Sequence, residues 1–135
     1  MTPPDDATPR GEPDPALAAD LGAALMEFEL APMAMFLLLP DGRLLQANLA
    51  MRQLFGWQGD DHIGVDVHDL ADPDERGVVS ERLETVLASD GATAELTTVI
   101  SGADGRRHRV RTSSLTVRDA TGVPRYVIAR VLSAD

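Results

Sequence analysis

The chain has 135 residues, 44% of them apolar, a net charge of −10 and no cysteine. That length supports one hydrophobic core. The acidic balance argues against nucleic acid as a partner, because a phosphate backbone needs a basic face, and the missing cysteine excludes disulfides, thiolate metal sites and cysteine nucleophiles.

All 12 basic residues are arginine, so Schiff-base chemistry on a lysine is excluded as well. Residues 1–13 are rich in proline and acid and almost devoid of apolar side chains. This composition cannot offset its ordering entropy and predicts a flexible tail. The N-terminal stretch lacks a basic start followed by an apolar run, so no secretory signal is expected. The longest apolar run, Leu30 to Leu39, is interrupted by Pro32 and too short to cross a bilayer. The expected setting is the cytoplasm, without membrane insertion.

Asp14-Pro15 reads as an N-cap followed by proline in the first helical turn. Leu17, Leu21, Leu25 and Phe28 follow at helical spacing, so residues 14–29 predict an amphipathic helix that Pro32 stops. Met33 to Leu39 and Tyr126 to Leu132 are apolar on both strand faces, apart from Arg130. Such strands lie centrally in a sheet covered on both sides. Pro40-Asp41-Gly42 turns the first of them into a short strand, Arg43 to Ala47. Asn48 then caps a short helix whose buried positions are Met51, Leu54 and Phe55, with Gly56 as its stop.

The acidic stretch after it predicts turns and loop. Asp72, Pro73 and Glu75 form the start signal of a longer helix, read as a capping box. Val79, Leu83, Val86 and Leu87 are its apolar face, and Asp90-Gly91 ends it. Two strands, Ala94 to Ser101 and Arg107 to Arg118, form a hairpin around Gly102 to Gly105. Apolar positions in the second change phase between Val110 and Leu115, which predicts a bulge at Ser113-Ser114. Asp119 to Gly122 turns into the last strand.

Chemistry-bearing groupings are few. Asp72, Asp74 and Gly77 fit a calcium loop, but Arg76 and Leu83 occupy ligand positions, so a helix start explains the acids better. The histidines are His62, His68 and His108. None pair at the spacing of a helical zinc site, and no metal site is expected. Arg107, Arg109 and Arg111 alternate along one strand face beside Arg106, a pattern read as a solvated face.

The leucine stripe of the first helix has two readings. It covers the outer face of the sheet, or it pairs with the same helix of a second chain. We expect both, in a homodimer contacting through Leu17, Leu21, Leu25 and Phe28.

The run from Phe36 through Asp41-Gly-Arg43 to Asn48, followed by Leu54-Phe-Gly-Trp57, resembles the opening of a PAS domain. Ile63-Gly64, Leu70-Ala-Asp-Pro-Asp-Glu-Arg76, Asp104-Gly-Arg106 and Asp119 to Pro124 match later elements of that family in the correct order. Asp72 stands where the family usually has histidine. The resemblance covers about residues 30–133. It implies an α+β fold over residues 30–135: a five-stranded antiparallel sheet in the order 2-1-5-4-3, with helices on one face. It also implies a non-catalytic bacterial signal-transduction sensor or dimerisation domain that regulates an output domain or a partner protein.

The cysteinyl-flavin subclass is excluded, because Leu49 follows Asn48 where that motif needs cysteine. Haem members take a histidine from the long helix, and Pro73 to Ala88 has none. His68 lies just before it. Redox flavin members have no specific residue match, so no cofactor is expected. A small apolar ligand would contact Asn48, Met51, Leu54, Phe55, Leu83, Leu87, Val110, Thr112 and Leu115, with Ser114 as a further polar group. The alternatives are a small cone-shaped α+β enzyme of isomerase or dehydratase type using His68 and Asp69, and a ligand-free structural adaptor.

Overall fold

The computed structural model describes residues 15–89 and 93–135. Helix α1 spans Pro15–Leu30, with proline in its first turn as its missing N–H allows. The tail, Asp14, and the Asp90-Gly91 stop lie outside the described residues. Strands β1 (Met35–Leu38) and β2 (Leu44–Ala47) pair antiparallel. Gly42 makes the turn between them at φ 96°, and a Cβ there would stand 2.9 Å from His68 Cε1. Glycine is required at that position on both counts.

Helix α2 (Leu49–Phe55) is capped by the Asn48 side chain and ends at Gly56, φ 74°. Loop residues then return to the free edge of β2, where the Leu44 N–H donates to Val65 O (2.7 Å) and the Gly64 N–H to Leu44 O (2.8 Å). Helix α3 (Val67–Leu70) is capped by Asp66, and α4 covers Arg76–Ala88. Three long strands complete the chain: β3 (Ala94–Ser101), β4 (Arg107–Arg118) and β5 (Pro124–Ala134). The sheet is five-stranded and antiparallel, in the order β2-β1-β5-β4-β3. No helix of the described residues is long and apolar enough to cross a membrane.

The predicted capping box does not form. Pro73–Glu75 is a 3-10 turn, and neither Asp72 nor Glu75 caps it with its side chain. Glu75 instead accepts from the Thr98 hydroxyl (2.6 Å) and the Val99 N–H (3.0 Å), tying the helix entry to β3. Those two donors hold its carboxyl below the usual 4.5. At the other end of α4, the Arg118 guanidinium donates to the carbonyls of Leu87 and Ser89, while the Thr116 hydroxyl donates to Val86 O (2.6 Å). A cation on terminal helix carbonyls satisfies acceptors that have no partner within the helix.

The bulge predicted at Ser113-Ser114 is also displaced. β4 pairs with β3 without interruption from Arg107 to Ser114. The irregularities fall in its pairing with β5, at Arg111/Thr112 and Val117/Arg118. Alternation along β4 is therefore unbroken there, and Thr112, Ser114 and Thr116 share the face towards α4.

Candidate functional site

Between α4 and the sheet lies a cavity of about 60 Å³. Phe36 and Leu38 of β1, Leu96 and Ile100 of β3, and Val79 and Leu83 of α4 supply much of its wall, with Thr112 and Ser114 of β4. The lining is almost wholly apolar. The Thr98 hydroxyl in the wall is engaged by Glu75. Ligand pockets for drug-sized molecules run to about 300–1,000 Å³, and a cavity that admits benzene is about 150 Å³. As it stands, this cavity has room for a guest of a few heavy atoms, well short of a fatty acid, an isoalloxazine or a porphyrin.

Asn48 lies outside that wall. It is 0% exposed, and its amide is fully engaged in structure. Its Oδ1 accepts from the N–H groups of Met35 (2.9 Å) and Met51 (3.0 Å). Its Nδ2 donates to the carbonyls of Phe28 (3.0 Å) and Met33 (2.9 Å). One side chain thus joins the end of α1, the entry to β1 and the start of α2. Beside it Arg52 grips Glu29 with two bonds, Nη1 to Oε1 (2.9 Å) and Nη2 to Oε2 (2.6 Å). These bonds hold the Glu29 carboxyl below its usual 4.5.

Residues 28–133 match the family model of the PAS fold. The chain belongs to the PAS family. A comparison with curated proteins gives no match. Among solved structures, the chain is similar to the PAS domain of an HTR-like protein from Haloarcula marismortui, at 16% identity and a TM-score of 0.72, covering 86% of this chain and 93% of that one. A domain of a sensory box sensor histidine kinase/response regulator from Geobacter sulfurreducens gives 18% identity and a TM-score of 0.70, covering 87% and 96%. The PAS domain of a protein from Colwellia psychrerythraea gives 13% identity and a TM-score of 0.73, covering 83% and 94%.

Within this PAS domain the expected contact residues separate. Leu83 and Thr112 line the cavity. Met51, Phe55 and Val110 are buried in the core and Leu54 and Leu87 pack against it, none of them lining the cavity. Leu115 is a correction: it pairs with Ile128, which in turn pairs with Leu37, and this row lies on the sheet face away from α4. The phase change read from the sequence assumed a bulge that is not at that position. Phe36, Leu38 and the alternating Ala94, Leu96, Thr98 and Ile100 were missed. The period-two pattern of β3 carried that signal.

The side chains of Leu17 and Leu21 lie outside the described residues. Leu25 is 68% exposed and Phe28 half-buried. α1 packs mainly on α2, so the expectation that Leu25 covers the sheet within the chain is corrected. His68 bonds Asp66 at 2.6 Å in a partly exposed turn, and neither it nor Asp69 lines the cavity. Burial alone would raise the Asp66 carboxyl, but the backbone N–H and ring of His68 hold it below 3.8. In the arginine stripe, Arg107 pairs with Asp72 and Arg111 lies 3.6 Å from Glu95, as expected of a solvated face. Among the described residues no group of metal-ligating side chains could hold an ion.

Proposed function

We propose that this PAS domain is a non-catalytic signal-transduction sensor. In this reading it dimerises through α1 and the far face of the sheet, and passes its state to an output domain or partner protein. The observation that carries the reading is apolar surface left without cover. Leu25, Met26 and Leu30 of α1 are 68%, 56% and 61% exposed, and the half-buried row Leu37, Ile128 and Leu115 crosses three strands on the face away from α4. Exposed apolar surface of this kind supports a partner face, and in this reading the helix and sheet face of one chain meet those of a second about a two-fold axis. Two structural neighbours come from sensor histidine kinases, which supports a signalling role.

The cavity volume favours an interior that takes at most a small apolar guest and no resident flavin or haem. Sedimentation of the full chain tests the proposal. A dimer is expected, and a Leu25→Glu, Leu30→Glu double variant should be a monomer with an unchanged circular dichroism spectrum. A wild-type chain that stays monomeric at every concentration tested would sink it.

A further inference from the structure

On the other side of α2 from the core lies a second space, an open cleft of about 780 Å³ that shares no lining residue with the interior cavity. The end of α1, β2, α2 and the loop through His62 form it, and its wall is largely polar. Arg52 is fixed in that wall by a bond from Nη1 to the Ala47 carbonyl (2.7 Å), independent of Glu29. Its planar fork already holds one carboxylate in two-point geometry, that of Glu29. His62 also lines the cleft. It is only 2% exposed, and neither ring nitrogen has a hydrogen-bond partner. Burying both without a partner is costly, and native structures rarely leave such groups unexplained. Burial, and after it the nearby Arg52 charge, holds the ring's pKa below 6.5, against a weak pull from the Gly59 backbone. Above that pH one nitrogen is therefore an N–H donor whose nearest acceptor, at Gly59, falls short of hydrogen-bond geometry.

We propose that this cleft binds small polar carboxylates, which take the Arg52 fork in exchange for Glu29 and, once the wall shifts to uncover the buried His62 ring nitrogens, accept a second hydrogen bond from His62. The bidentate fork favours a carboxylate over a spherical anion. With Glu29 displaced, Arg52 and the imidazole N–H face a single opposing acid in the wall, Asp60. Gln46, Gln53 and Gln58 offer amides to the remainder of a polar ligand. Glu29 is the penultimate residue of α1, so exchange removes one of that helix's two polar ties and leaves the Phe28 carbonyl on Asn48. Binding stands independently of the dimer proposal, and only its consequence for α1 rests on it.

Glu29 is a tethered competitor with an effective concentration on the order of millimolar. The wild-type chain should therefore bind free carboxylates weakly, and Glu29→Gln should bind them at least about tenfold tighter. Trp57 lines the cleft, 6.1 Å from the His62 ring centre, and is the chain's single tryptophan. Its fluorescence reports binding without regard to oligomeric state. Succinate and acetate are titrated into the full chain, with sodium chloride at matched ionic strength as the control. The tighter binding of Glu29→Gln should be lost in Glu29→Gln, Arg52→Lys, which keeps the charge but not the fork, and weakened in Glu29→Gln, His62→Phe. Circular dichroism confirms that each variant is folded. A Glu29→Gln affinity no tighter than wild type, or a response that chloride reproduces, overturns the proposal.

Discussion

Replacing Asn48 with alanine should cost the fold about 3–5 kcal/mol. Four hydrogen bonds meet on this amide, from Met35 and Met51 and to Phe28 and Met33. Losing the cap of α2 alone costs about 1 kcal/mol. The Met35 N–H and the Met33 carbonyl each lose a partner, at about 1–3 kcal/mol where water does not replace it. The Phe28 carbonyl adds less, since the Ala31 N–H still reaches it at 3.4 Å. The lower part of the summed range applies, because the ends of α1 and β1 open to water more easily than the centre of a sheet. Such a loss is a large share of the roughly 5–15 kcal/mol that holds a domain together. Urea unfolding of wild type, Asn48→Ala and Asn48→Asp measures it. Aspartate keeps the cap acceptor but removes both donor bonds and brings a charge into a dry site, so it should also lose at least about 2 kcal/mol. A loss below about 1 kcal/mol for alanine would refute the hub.

Gly56→Ala should destabilise by about 1–2 kcal/mol, because φ is 74° and the new Cβ would sit 3.1 Å from that of Asp104; an unchanged urea midpoint would contradict this. Ala94→Val directs methyl groups into the cavity, and about 24 cal/mol per Å³ over 60 Å³ caps the gain near 1.4 kcal/mol. A lower midpoint would mean that the wall has no room to give. Acid should weaken the fold in two stages. His62 is depressed below 6.5, first by burial and then by Arg52, so only the unfolded chain takes up its proton readily, and stability falls as pH drops below that value. Glu29 and Glu75, held below 4.5 by Arg52 and Thr98 respectively, contribute fully above that pH, and their share is lost as pH falls through their folded values. His62→Gln should abolish only the upper stage, so a melting profile unchanged from wild type between about pH 7 and pH 5 would refute the assignment. In hydrogen exchange, α1 amides should be far less protected than those of β4 and β5, and less still in Glu29→Gln. Protection equal to that of the sheet would rule out a weakly docked helix.

The turns and caps were legible because their chemistry is local. Asn48 before α2, Gly56 after it and the glycines of the hairpins each act within a few residues, and each stands where the sequence placed it. Sheet order followed from the same short signals through the family resemblance. What escaped was set by partners far along the chain. Glu75 looked like a capping residue because nothing local announces that Thr98 and Val99 will stand opposite it. Leu115 was placed on the wrong face because a polar pair mimicked a bulge, whereas pairing with β3 holds β4 in phase. Asn48 was read as a ligand contact on polarity alone, yet three of its four partners lie 13 to 20 residues upstream. The cavity size depends on side chains from at least six elements at once. His62 carried no sequence mark of burial, being flanked by Asp61 and Ile63 in an acidic loop.

The polar ties of α1 bear on the proposed relay of a state to an output domain. The helix is joined to the body at its last turn through the Phe28 carbonyl and the Glu29 carboxylate, while Leu25, Met26 and Leu30 face outward. A partly exposed ion pair contributes about 0–1 kcal/mol and a hydrogen bond about 1 kcal/mol. The two polar ties together therefore contribute only about one to two powers of ten to the docking equilibrium, beside the packing of α1 on α2. That share is small enough for modest differential binding to shift it, which is what the proposed carboxylate on Arg52 or second chain on α1 would supply. The sheet and α4 differ in this respect. Val86, Val110 and Val127 are each at most 2% exposed, so a comparable input would leave their packing unchanged. On the proposed function, α1 is the element that would switch, and Asn48 and Arg52 are the residues that would set its bias.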